Sequence, residues 1–150
     1  MDTPMSHVEL HRVISSDIGH VWEIVSNIQR YPAFMPSVQS VEILHGTPGC
    51  STQSQWSVVL QEAVMEWTEV DTYNKDAGTL EFCQISGDLE MFKGRWQLRQ
   101  VPSGTEIQLS VEFSIGIPGM EELLAPIAVT AIEENCHTML DCIEHQARTT

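Results

Sequence analysis

Basic residues are scarce in this chain: seven Lys and Arg stand against 21 Asp and Glu in 150 residues, a formal net charge of −14. So negative a surface repels polyanions, which excludes nucleic acid and disfavours anionic membranes as partners. Long apolar runs are missing as well. No stretch approaches the ~20 residues of a membrane span, and the opening "MDTPMSHVELHR" has neither the basic nor the apolar region of a secretory signal. A cytoplasmic location without membrane insertion is expected. The four cysteines, Cys50, Cys83, Cys136 and Cys142, form no C-x-x-C pair and are expected as free thiols. G-x-G-x-x-G, P-loop, H-E-x-x-H and G-x-S-x-G motifs are all absent. No cofactor is expected. His7, Glu9 and His11 share one face of a strand, and Glu133, His137, Asp141 and His145 form a helical stripe. Both sets sit opposite apolar faces, where solvated side chains belong, so no metal site is expected from either.

What is present suits one domain over residues 1–150, with 42% apolar residues and no low-complexity tract. "HVELHRVI" reads as a first strand, with Val8, Leu10 and Ile14 on one face by period two. A helix follows, capped by Ser16 or Asp17, with Ile18, Val21, Trp22, Val25 and Ile28 at helical spacing. Tyr31-Pro32 is expected to close it, because a residue before proline is driven out of the α region. Then come segments divided by turn signals: "VEIL", "SQWSVVL", "VMEWTEVDTYN", "TLEFCQIS", "FKGRWQLRQV" and "TEIQLSVEFSIGI". Short turns between successive strands mean antiparallel pairing. A long final helix is expected from Pro126 to about Gln146, its apolar side built from the row Ile127, Ala131, Asn135, Met139 and Ile143 and the row Ala128, Ile132, Cys136 and Leu140. The chain is thus α+β, a curved antiparallel sheet with a long C-terminal helix laid across it.

Three segments, "VWEIVSNIQRYPAFMPSVQSVEIL", "FKGRWQLRQVPSGTEIQLSVEFSIGIP" and "IAVTAIEENCHTML", resemble the START-like superfamily (SRPBCC, or Bet v 1-like), in its polyketide cyclase/dehydrase and coenzyme Q-binding branch. The first carries the pattern W-x-x-V-x-D/N-x-x-x-Y-P-x-F-x-P. The resemblance implies a helix-grip fold, a seven-stranded antiparallel sheet wrapped around the C-terminal helix with two small helices after the first strand. It implies a cavity closed at one end by the Tyr-Pro-x-Phe-x-Pro turn, with Tyr31, Phe34 and Met35 turned inward. It also implies a cofactor-free cyclase, aromatase or cyclase/dehydratase acting on a polyketide-like or isoprenoid-like molecule, with an acyl carrier protein as a candidate partner. The other readings are a non-catalytic carrier of a lipid, quinone or similar metabolite, and a protein-interaction role with a collapsed cavity.

The expected lining is Trp56, Trp67, Phe82, Trp96, Phe113, Asn135 and Met139, with Phe34 and Met35 at the rim. Flat aromatic surface suits a polycyclic ligand and equally suits plain core. Asn135 is the one amide in an apolar helical row, and a buried amide needs partners. If Trp67 points inward, period two brings in Met65, Glu69, Asp71 and Tyr73; two carboxylates in an apolar cavity could serve as general acid and base. The opposite arrangement leaves Glu69 and Asp71 in water, and the acid-rich composition favours it. Tyr31, Asn135, Glu69 and Asp71 are the candidate proton-handling groups. Aromatase/cyclases of the superfamily carry an inward arginine along this strand where Asp71 stands, so that role does not transfer. Arg95 and Arg99 alternate opposite to Trp96 and are expected in solvent, paired with neighbours such as Glu112.

Overall fold

A computed structural model describes residues 5–150; Met1–Pro4 of the opening segment lie outside the described residues. Strand β1 (Ser6–Ile14) leads into helix α1 (Ile18–Ser26), a 3-10 turn (Ile28–Arg30) and a short helix α2 (Tyr31–Phe34). Six strands follow: β2 (Val38–Thr47), β3 (Ser51–Leu60), β4 (Ala63–Asn74), β5 (Thr79–Gly87), β6 (Met91–Val101) and β7 (Gly104–Ser114). Helix α3 (Glu121–Thr149) closes the chain. The strands form one antiparallel sheet in the order β1-β7-β6-β5-β4-β3-β2. Each strand from β2 to β6 pairs with its successor through a short turn, and β1 returns to pair with β7. Helices α1 and α2 therefore carry the chain from one sheet edge to the other. This is the helix-grip architecture.

Alternation builds the core. On β7, Ile107, Leu109, Val111 and Phe113 are buried while Glu106, Gln108, Ser110 and Glu112 are more exposed. Helix α3 meets this inner face with Ile132, Cys136, Met139, Leu140, Ile143 and Ala147, all buried. Asp17 is the α1 cap, its carboxylate accepting from the His20 amide at 3.1 Å. Arg12 anchors α3 to β1 through Asp141 (2.8 Å) and Glu144 (3.0 Å). Among the described residues, no helix is long and apolar enough to cross a membrane, and no cluster of three His, Cys, Asp or Glu is placed to hold a metal ion.

Three boundaries and one ion pairing differ from expectation. Tyr31-Pro32 does not simply end a helix: Tyr31 has helical φ and ψ, and Pro32 sits in the first turn of α2, where its missing N–H costs nothing. Strand β2 is longer than "VEIL", because pairing with β3 carries it through His45, Gly46 and Thr47 with a register shift. Helix α3 starts at Glu121, five residues before Pro126, and runs 29 residues. Pro126 deprives the Glu122 carbonyl of its helical donor, which is tolerable because no residue of 121–131 is buried and water reaches that turn. Ile127, expected on the apolar side, is accordingly 58% exposed. Fourth, Arg99 pairs with Glu106 at 3.1 Å, and it is Lys93 that approaches Glu112, at 3.8 Å.

Candidate functional site

The site grows out of the β3–β4 ladder. Its register sets Trp56 opposite Trp67, Ser54 opposite Glu69 and Thr52 opposite Asp71. Period two then turns all six side chains, with Met65 and Tyr73, onto the concave face, and all eight are buried. The solvent-facing arrangement of Glu69 and Asp71 that composition favoured is therefore overturned: they are 3% and 1% exposed. The two indoles stack with ring centroids 5.6 Å apart and planes 10° apart, and Phe92 meets Trp67 edge-on at 5.1 Å.

Polar side chains on this face form a directed chain of hydrogen bonds. Ser54 Oγ donates to Asp71 Oδ2 at 2.6 Å, and Thr52 Oγ1 donates to the same oxygen at 2.8 Å. Each hydroxyl has one proton, now committed to the carboxylate. The Tyr73 hydroxyl must therefore donate to Thr52 Oγ1 at 3.0 Å, while Trp56 Nε1 donates to Ser54 Oγ at 2.9 Å. Every proton in the chain points toward Asp71, which is thereby held as an acceptor. Glu69 is the opposite member. It takes one bond from Trp67 Nε1 at 2.6 Å. Burial pushes its carboxyl well above the ordinary range, a hydrogen bond with Asp71 and that residue's charge push it further, and the Trp67 bond only partly opposes them. Of the two carboxyls, Glu69 is the one held toward its protonated form.

Of the expected residues, Trp56, Trp67, Glu69, Asp71, Phe82, Trp96, Asn135 and Met139 come together around one cavity. Asn135 Oδ1 accepts from Ser37 Oγ at 2.6 Å, tying α3 to the end of the proline-containing turn, and its Nδ2 has only the Met139 sulfur at 3.5 Å. Phe82 lies over Gly94, where a Cβ would come within 2.5 Å of the ring. Four expected residues do not line the cavity. Tyr31 is fully buried with its hydroxyl donated to the Val25 carbonyl, and burial raises its pKa well above that of a free phenol. Its proton is held by the end of α1, away from the cavity. Met35 and Phe113 are likewise buried in the core, and Phe34 packs edge-on against Tyr31 at 6.0 Å. The proline-containing turn is thus a packed plug at one end of the fold, because its aromatic groups satisfy one another.

Phe92, Thr52 and Ser54 escaped the sequence reading. Phe92 could have been found by counting back by twos from Trp96, and the two hydroxyls by counting back from Trp56. Cys136 also lines the cavity, but burial pushes its thiol up to about 12, leaving it inert as a nucleophile. The cavity measures about 60 Å³. That is room for a few water molecules and far below the roughly 300 Å³ at which drug-sized ligand sites begin. The hollow expected from the sequence is contracted by the side chains that line it.

A family model described as "Polyketide cyclase / dehydrase and lipid transport" matches residues 14–141. The chain belongs to this family. It is 25% identical over 131 residues to the actinorhodin polyketide synthase bifunctional cyclase/dehydratase of Streptomyces coelicolor, an alignment covering 83% of this chain and 41% of that protein. In structure it is similar to a protein of Thermus thermophilus, with TM-score 0.88, 21% identity, and coverage of 96% of this chain and 98% of that one. It is also similar to the Zhui aromatase/cyclase of Streptomyces sp. R1128, with TM-score 0.86, 19% identity, and coverage of 97% and 94%. Such identities establish the shared fold.

Proposed function

We propose that this protein is a cofactor-free cyclase/dehydratase that closes a ring in a hydrophobic, polycarbonyl intermediate. The observation that carries this reading is the buried Glu69–Asp71 pair on the cavity wall, one carboxyl pushed toward its protonated form by burial and the other accepting two hydroxyl hydrogen bonds. In the proposed step Asp71 takes a proton from a methylene flanked by two carbonyls. The enolate carbon attacks a second carbonyl of the same molecule, and Glu69 gives its proton to the developing alkoxide. A carbon–carbon bond forms, a carbonyl π bond breaks, and no oxidant is consumed. Passing the proton from Asp71 to Glu69 along their shared hydrogen bond restores the starting state. Repeating the exchange on the aldol removes the α-proton and expels water. Around the pair, aromatic walls restrict the chain's folding and exclude solvent.

Substrate entry requires the cavity to widen. Met65 and Met139 are unbranched and adaptable, and the first third of α3, which buries no side chain and contains Pro126, is the part of the grip most easily displaced. The test is a synthetic aryl triketone whose aldol closure and dehydration give a phenol followed by absorbance. Wild type should accelerate closure, and Glu69→Gln and Asp71→Asn should each lose about 100-fold or more while still binding the triketone. Binding without turnover by wild type would replace the enzyme with a carrier of hydrophobic molecules.

A further inference from the structure

Polar side chains reach the cavity from two walls, Glu69 and Asp71 from β4 and Asn135 from α3. The donors beside the two acids are spent. Ser54 and Thr52 give their protons to Asp71, Trp56 Nε1 donates to Ser54, and Trp67 Nε1 donates to Glu69. Asn135, half-buried on the helix, differs. Its Oδ1 takes the Ser37 proton at 2.6 Å, while its Nδ2 meets only the Met139 sulfur at 3.5 Å, a weak acceptor. An amide nitrogen carries two hydrogens, so at least one is left for a ligand. Reversing the amide would set its oxygen against the sulfur, which has no proton to give. Ser37 is itself fixed, its carbonyl accepting from the Val59 amide at 2.8 Å. The amide plane is therefore held from the end of the proline-containing turn.

We propose that Asn135 Nδ2 is the catalytic donor to the carbonyl oxygen that becomes the enolate, and that Ser37 is the positioning residue that aims it. This rests on the cyclase reading above and adds to it the group that receives the developing charge. When Asp71 takes the methylene proton, its negative charge passes to the enolate oxygen, and no bond to Asn135 is made or broken. Among the described residues no Lys, Arg or His lines the cavity. The charge must then be met by a neutral donor, and one already oriented needs no reorganisation as the charge forms. Glu69 is not free for this oxygen, because its proton goes to the alkoxide of the second carbonyl. The two reacting carbonyls thus have different partners, one on the helix wall and one on the strand wall. Both walls line the same cavity, so a single β-dicarbonyl unit can touch both, its methylene toward β4 and one oxygen toward α3.

Acetophenone, a single carbonyl that cannot close a ring, isolates the hydrogen bond. Its carbonyl stretch in the bound state is read by isotope-edited infrared difference spectroscopy, with ethylbenzene as the matched ligand lacking the oxygen. On wild type the stretch should lie below its value in an apolar solvent. Asn135→Leu, close to asparagine in shape, should return it to the apolar value and leave ethylbenzene affinity unchanged. Ser37→Ala should leave the stretch between the two and broader, because the amide is then free to turn. With the triketone, Asn135→Leu should lower kcat about 100-fold and leave KM within about threefold, whereas a mere loss of shape would raise KM instead. If acetophenone binds but Asn135→Leu does not move its stretch, the donor is overturned and the Glu69–Asp71 reading stands. If the stretch behaves as expected but wild type turns over no triketone, the catalytic role falls with the enzyme and Asn135 is a contact in a carrier. If wild type binds neither acetophenone nor ethylbenzene, the cavity is not a ligand site and both readings fall. Where Asn135→Leu does not fold, Asn135→Ala, which adds no bulk, is read in its place.

Discussion

Ser54 sits directly opposite Glu69 in the β3–β4 ladder, yet it gives its proton to Asp71, 2.6 Å away on the diagonal. That single choice separates two carboxylates of one strand into unlike partners. Asp71 collects hydroxyl donors from β3, while Glu69 is left with an indole N–H and a proton of its own.

Ser54→Ala tests the division. It removes one of two donors to Asp71 Oδ2 and leaves Trp56 Nε1 without its acceptor. A buried donor left unpaired costs about 1–3 kcal/mol. Urea unfolding should show a loss in that range. A loss under 0.5 kcal/mol (about the noise of a surface change) would mean the hydroxyl is not holding the pair.

Glu69 makes stability depend on pH. The folded protein keeps this proton well above the 4.5 of an ordinary glutamate, so it binds more protons than the unfolded chain once pH exceeds that value. Stability contributed by Glu69 is therefore full at low pH and falls as pH rises, by at most about 1.4 kcal/mol per pH unit, until Glu69 ionises in the fold. Glu69→Gln abolishes this titration. Its stability relative to wild type should climb between about pH 5 and about pH 7, and parallel curves would contradict the protonated assignment.

Tyr31→Phe separates a structural hydroxyl from a chemical one. The Val25 carbonyl lies in the last turn of α1, where helical donors run out, and the Tyr31 hydroxyl supplies one. The variant should lose about 1–2 kcal/mol of stability and keep its affinity for the triketone. Lost binding at unchanged stability would return Tyr31 to the ligand site.

The β3–β4 hairpin turns through Gln61 and Glu62, at φ of +48° and +74°, with no glycine or asparagine in the loop. Left-handed backbone costs an ordinary side chain about 1–2 kcal/mol. Glu62→Gly should raise stability by about 1 kcal/mol, read as a higher thermal midpoint. A drop instead would mean that Glu62 makes a compensating contact worth more than the strain.

That hairpin shows where sequence reading stops. The turn has none of the residues its geometry prefers, because ten paired positions on each flank dictate it from outside. Alternation on β7 and the helical spacing of α1 needed no such help, since each is a local pattern facing one apolar layer. Trp56, Trp67, Phe82 and Trp96 reach the cavity wall through the same alternation. Tyr31 does not, because its hydroxyl's partner lies at the end of α1, which stops at Ser26 and not at the Tyr31-Pro32 the sequence suggests.

The order of strands and helices, their antiparallel pairing and the apolar stripe of α3 were determined by the chain's own periodicity, which acts over a few residues and needs no knowledge of the rest. Whether Glu69 and Asp71 would face water or core was not. Strand β4 alternates equally well either way up, and an acid-rich chain argues for water. The decision came from β3, whose hydroxyls lie 17 and 19 residues from Asp71 along the chain and meet it only once the strands are in register. Hydrogen bonds across that ladder offset the cost of burying a charge, and stacking of Trp56 on Trp67 across the same ladder fills most of the space beside it.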